Sequence, residues 1–168
     1  MSVPDLSRGH MSSLDALDRS LLEELNVDAR RSHRDIARRL NVSPTTVSHR
    51  IEALEREGLI RGYVPLLQDE ALGWDLHAVV GIRISKGRLR EVEERLSKDE
   101  RAYAIYDVTG DYDALVIARF RDRRDLDRWV KHALQDPNIE RTNTQVILNR
   151  VKEERRVPLP SRSKRADE

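Results

Sequence analysis

The sequence contains no cysteine. That excludes a disulfide framework and any thiolate-held zinc or iron–sulfur centre, and it suits a cytoplasmic setting. No apolar run approaches the roughly 18–20 residues of a membrane-spanning helix, and the first residues carry no signal-peptide apolar segment, so no membrane partner is expected. HExxH, GxSxG and Gly-rich phosphate loops are all missing, so no catalytic and no metal-binding residue is predicted. Bulk charge is missing as well, because 31 basic residues against 30 acidic ones leave a net +1. Net charge therefore gives no argument for a polyanionic partner. Lysine is scarce: Lys86, Lys98, Lys131, Lys152 and Lys164 are the only five, leaving 26 arginines. A GC-rich genome and a hot habitat would each produce that bias.

What is present is enough for one ordinary domain or two small ones, with 168 residues, 38% apolar and 36% charged. The charge is unevenly distributed. From Leu14 to Asp28, five acids (Asp15, Asp18, Glu23, Glu24, Asp28) stand against Arg19, a net of −4. From Arg30 to Arg50, six arginines stand against Asp35, a net of +5. Adjacent segments of opposite sign give one face suited to phosphates. Residues 1–11 lack periodicity and are set aside, with Met11 a candidate alternative start. The segment 156–168 is expected to be a basic, disordered tail.

Hydrophobic spacing divides the remainder. Leu14, Leu17, Leu21, Leu22 and Leu25 follow the period of an amphipathic helix, with Ser13 as its cap. A second helix starts after Ser32 and buries Ile36, Ala37 and Leu40. Ser43-Pro44 then restarts a third: a side-chain cap, followed by Pro at the first helical position, where its missing N–H costs nothing. That helix turns Val47, Ile51 and Leu54 inward and ends near Gly58. RGYVPLL follows as an extended stretch. Beyond Gly73, Leu76, Ala78, Val80, Ile82 and Ile84 alternate with polar or small residues as in a half-buried strand. A helix at 88–97 carries Leu89, Val92 and Leu96. Strands AYAIYDVT and YDALVIARF follow, joined by a two-residue turn at Gly110-Asp111. A helix at 123–135 and a strand at 142–151 complete the series.

The predicted class is therefore α+β. An N-terminal helix-turn-helix three-helix domain (12–60) leads through a linker strand (61–73) to a C-terminal ferredoxin-like βαββαβ domain (74–155). Such a sheet carries both helices on one side, so its bare face must find another surface, which points to a homo-oligomer. In the first domain, Ala37 is small where two helices meet, and Asn41, in the turn, tolerates the left-handed conformation. The third helix exposes Thr45, Thr46, Ser48 and His49, whose hydroxyl and imidazole groups can meet base edges of double-stranded DNA. Arg34, Arg38, Arg39 and Arg50 flank them as phosphate anchors. The bland alternative is a three-helix packing module with solvated hydroxyls.

The run LDALDRSLLEEL…ARRSHRDIARRLNVSPTTVSHRIEALEREGLIRGYVPLL…LG, with VTGDYDALVIARF and the last strand, resembles the Lrp/AsnC family of transcriptional regulators over roughly residues 14–155. The resemblance implies a homodimer formed through the sheets, often assembling to tetramers or octamers. It further implies operator binding and a small-molecule effector, commonly an amino acid, held between dimers with no cofactor required. It places that effector near the TGDYD hairpin, at Thr109, Gly110, Asp111, Tyr112 and Asp113, with Gln145 on the last strand. Backbone N–H groups at a glycine turn suit a carboxylate, and the aspartates suit an ammonium, favouring a neutral or basic side chain.

Two alternatives of other kinds stand beside it. Some proteins of the same two-part architecture decarboxylate sirohaem with His and Arg side chains, for which His77 and Arg83 are the candidates here. The other is an effector-binding module without DNA binding, which would lack the steep salt dependence of phosphate neutralisation.

Overall fold

The computed structural model describes residues 14–159, which form two compact units: 14–65 with 154–159, and Leu66–Glu153. The first holds α1 (Ala16–Val27), α2 (His33–Leu40) and α3 (Pro44–Arg56). Ser13 lies outside the described residues. The cap of α1 is Asp15, whose carboxylate accepts from Asp18 N–H at 2.8 Å while Asp18 returns the bond, a reciprocal capping box. Leu21, Ile36, Ala37, Val47 and Ile51 make the core of this unit.

The second unit is built on β1 (Leu76–Ile84), α4 (Leu89–Leu96), β2 (Ala102–Asp107), β3 (Ala114–Phe120), α5 (Arg123–Ala133) and β4 (Ile139–Val146). The sheet order is β2-β3-β1-β4, and all three pairings are antiparallel. This is the βαββαβ arrangement. Ala78, Val80, Ile82 and Ile84 of β1 and Ala114, Val116, Ala118 and Phe120 of β3 form one apolar face, packed with Val92, Leu126, Trp129 and Ala133 of the helices. Phe120 meets Trp129 edge to face at 5.7 Å. The opposite face carries His77, Val79, Gly81 and Arg83 beside Leu115, Ile117 and Arg119.

Three expectations change. No linker strand forms at 61–73: residues 61–68 have no regular structure, and Glu70–Leu72 is a short 3₁₀ turn. Pro65 can donate no ladder bond, and Val64 and Leu66 are 80% and 73% exposed. The last strand starts at Ile139 and stops at Val146, instead of spanning 142–151. The β2–β3 register does centre on Gly110-Asp111, but its last backbone bond runs from Val108 N–H to Asp113 O at 3.1 Å. Thr109–Tyr112 is thus a wider bend, in which Gly110 (φ +114°) has the left-handed backbone while Asp111 does not. Residues 160–168 of the predicted disordered tail lie outside the described residues, as do 12 and 13 of the first predicted domain.

Candidate nucleic-acid interface and effector region

The helix-turn-helix is fixed by local chemistry. Ser32 caps α2, accepting from Asp35 N–H at 3.1 Å. Asn41 ends the helix in the left-handed conformation (φ 54°, ψ 46°), and Val42 N–H bonds back to Ala37 O at 3.0 Å. Ser43 then caps α3, accepting from Thr46 N–H at 3.0 Å, with Pro44 as the first helical residue. The start of α3 is therefore set to the residue.

That register sorts the candidate readers. Thr45 and His49 are exposed, four residues apart on one face of α3, and their side chains bond no described residue. Thr46 shares a 2.8 Å hydrogen bond with the capping hydroxyl of Ser43, and Ser48 donates to Glu52 at 2.9 Å. Their hydroxyls are engaged in holding the helix.

The arginines divide in the same way. Arg34 has no ion-pair partner among the described residues. Arg38 reaches Asp35 at 3.2 Å but keeps 78% of its side chain exposed. Arg39 donates to Glu24 at 2.8 Å, a carboxylate it shares with Arg31. Arg50 lies 2.9 Å from Asp15 and 3.3 Å from Asp18. Backbone N–H donation from Asp18, helped by Arg50, holds the Asp15 carboxyl below its ordinary value; Ser32, then Arg38, does the same for Asp35. The acidic α1 thus engages three of the six arginines in the +5 segment, leaving Arg30, Arg34 and Arg38 facing outward.

In the second unit the residues expected to hold an effector fall into two groups. Thr109, Gly110 and Asp111 are exposed on the bend. Tyr112 and Asp113 are built into the sheet. Asp113 accepts from Ile84 N–H at 2.8 Å and lies 3.4 Å from Arg83, at the register shift between Arg83 and Ile84. The Tyr112 ring lies flat against Gly81, where an added Cβ would come within 2.8 Å of the ring. Arg141 of β4 sits 5.5 Å from the centre of that ring. Gln145 pairs with Val79 on the same sheet face, two residues beyond Asn143, the partner of Gly81. Sequence reasoning missed Gly81 and Arg141. Alternation on β1 turns residue 81 outward, but the juxtaposition needs the β1–β4 register.

His77 and Arg83 share a sheet face but stand six residues apart on β1, about 20 Å along an extended strand. They do not converge on one site. His77, only 5% exposed, belongs to another cluster. Its Nε2 lies 3.5 Å from the buried Asp69 without hydrogen-bonding geometry, and its ring meets Tyr103 edge-on at 6.2 Å. Asp69 also accepts from Arg119 and Arg150, each at 3.0 Å, and Arg119 stacks over Tyr103 at 4.5 Å. One carboxylate thereby ties the segment entering this unit to β1, to β3 and to the segment leaving it. Nothing in the sequence around Asp69 marked it, because two of its partners lie 50 and 81 residues away. Among the described residues no group of three acids or histidines could hold a metal, and no helix is long and apolar enough to cross a membrane.

A capped helix-turn-helix presenting free hydroxyl, imidazole and guanidinium groups, joined to a βαββαβ domain, defines a DNA-binding transcriptional regulator with a ligand-binding domain. A model of the Lrp/AsnC ligand binding domain matches residues 77–157, and a winged helix-turn-helix DNA-binding model matches 14–61. The HTH-type transcriptional regulator PH1692 of Pyrococcus horikoshii is 46% identical over 144 residues, covering 86% of this chain and 97% of that protein. Regulator FL11 of Pyrococcus abyssi is 31% identical over 147 residues, covering 88% and 97%. Among solved structures, the regulator NMB0573/L-Met complex of Neisseria meningitidis superposes with a TM-score of 0.80 at 25% identity, over 87% of this chain and 97% of that one. E. coli AsnC does so with a TM-score of 0.78 at 26% identity, over 84% and 96%. The chain belongs to the Lrp/AsnC family of transcriptional regulators.

Proposed function

We propose that this regulator reads operator DNA with α3, through Thr45 and His49, while Arg34 and Arg38 set its position on the phosphates. The observation that carries the reading is the pair of unengaged polar side chains on one face of a helix whose start is fixed by Ser43 and Pro44. Thr46 and Ser48 support that helix through their own bonds, and Arg39 and Arg50 contribute to phosphate contact only if they leave their carboxylates. The protein acts in the cytoplasm as a homo-oligomer, dimeric at least and assembling to tetramers or octamers, without catalysis or a resident cofactor. Large apolar side chains exposed on the single chain support assembly: Leu148 is 96% exposed and Val151 91%. An amino acid bound at Thr109–Asp113, with Gln145, is the effector. The L-Met complex of the Neisseria meningitidis regulator supports that class.

The coupling is geometric. Two recognition helices related by a dyad must match major grooves about 34–36 Å apart. An effector that shifts their spacing need supply only about 1–3 kcal/mol to change operator affinity roughly 5–150-fold. The test is selection of bound duplexes from fragmented genomic DNA at two salt concentrations, repeated with Thr45→Ala and His49→Ala. The expected result is a dyad-symmetric consensus whose affinity falls steeply with salt, with preference at single positions weakened by about 1–3 kcal/mol in each variant. A consensus unchanged in both variants would remove α3 as the reader.

A further inference from the structure

Arg83 and Arg141 are direct cross-strand partners on β1 and β4, so both project from the sheet face opposite the helices. Like charges placed opposite one another destabilise a strand pair unless something neutralises them. Arg83 has a carboxylate, Asp113 at 3.4 Å, but that carboxylate is shared with the Ile84 N–H at 2.8 Å. Arg141 has no acidic partner among the described residues and instead lies over the Tyr112 ring. The ring is pressed onto Gly81, where any side chain would displace it. The two nearby acids of the hairpin are thus unequal: Asp113 is occupied in closing the register shift, and Asp111 is exposed on the bend and bonds neither arginine. The patch holds two guanidiniums on an aromatic floor against a single carboxylate. Its local charge opposes the neutral or basic ligand that the hairpin sequence alone suggested.

We propose that Arg83 and Arg141, with Tyr112 as the floor between them, form a carboxylate-recognising subsite that selects an effector with a second acid group, an acidic amino acid or a small dicarboxylate. Guanidinium is suited to this work because its donors meet both oxygens of one carboxylate at once. The effector's aliphatic part packs on the ring. The proposal rests on the hairpin being the effector region, and it specifies which member of the amino-acid class that region takes.

Isothermal titration of the full chain with L-glutamate, L-aspartate and succinate, set against L-glutamine, L-asparagine and inorganic phosphate, tests it. Wild type should bind an acid about tenfold or more tightly than its amide. Arg141→Gln and Arg83→Gln, checked for native unfolding midpoints, should erase that preference while leaving amide binding in place. Equal affinity for acid and amide, or a preference that survives both substitutions, overturns the subsite but leaves the amino-acid reading standing. Phosphate binding as tight as glutamate overturns carboxylate selection in favour of a general anion patch. Failure of every amino acid and of succinate to bind at millimolar concentration overturns the subsite and the amino-acid reading together.

Discussion

The recognition unit and the sheet unit use the same residue, arginine, in opposite ways. In α2, Arg34 stands free and Arg38 is 78% exposed, each reaching outward from a helix anchored by a serine cap. In the sheet unit, Arg119, Arg101 and Arg150 keep only 21%, 27% and 29% of their side chains exposed, and each is bonded to a carboxylate that is itself buried or half-buried. Arg101 donates to Asp99, whose carboxyl it holds below the ordinary range, and reaches Asp125 at 3.0 Å. The lesson is that arginine content identifies neither a DNA-binding surface nor a stabilised fold. The partner decides. A guanidinium already bonded to a buried acid is scaffold, while one left in water beside a reading helix is available to a phosphate.

Removing a scaffold partner should give the largest effect. Asp69→Asn leaves Arg119 and Arg150 facing an uncharged side chain in a cluster that also contains the buried His77. Breaking a buried ion pair from one side costs on the order of 3 kcal/mol. Urea unfolding should show that loss in the transition of the sheet unit, with the helix-turn-helix transition unmoved. An unchanged midpoint would mean that Asp69 is solvated well enough to be dispensable, and the contrast between the units would lose its strongest member.

A smaller effect distinguishes the arginines within the recognition unit. Arg34→Ala and Arg38→Ala should each reduce the slope of log affinity against log salt by about 1, equally for specific and random duplexes. Arg50→Ala should leave that slope alone and cost roughly 0.2–1 kcal/mol of stability, as expected for a pair in which the arginine is 43% exposed. If Arg50→Ala lowers the slope as far as the other two, then DNA competes Arg50 away from Asp15 and Asp18. The division drawn from the free protein would then shift on binding.

The legible features were those carried by neighbours in sequence. Ser32, Asn41 and Ser43-Pro44 act within four residues of themselves, so the helix-turn-helix could be placed from the chain alone. The alternation of β1 likewise gave the inward face. At α1 two cap-forming residues compete, and Asp15 prevails because Asp18, three residues on, completes the box. Pairings across the sheet were not legible. Arg83 meets Arg141 only through the β1–β4 register, Tyr112 meets Gly81 only once the hairpin folds back, and Asp69 lay in a stretch without periodicity. The candidate effector residues illustrate both sides. The hairpin was visible as a motif, but the commitment of Asp113 to the Ile84 N–H was not.

The smallest effect tests whether an acid pair in the sheet unit behaves as the arginine clusters do. Glu93 of α4 has its carboxyl pushed up from the ordinary 4.5 to about 7, first by burial and then by its hydrogen bond and repulsion with Asp107 at the end of β2, with Arg90 partly opposing. Because the folded value lies above the unfolded one, the proton is held more tightly in the native state. The pair's contribution to stability is therefore complete below pH 4.5 and is lost as the pH rises through about 7, when two adjacent carboxylates are left to repel. Glu93→Gln keeps a donor toward Asp107 and removes the titration. Thermal midpoints across that window should fall for the wild type and flatten for the variant, with a difference smaller than for Asp69→Asn because Glu93 is only half-buried and water screens it. Identical profiles would show that the two carboxylates separate in solution. In that case only the arginine-bonded acids would fix this end of the hairpin.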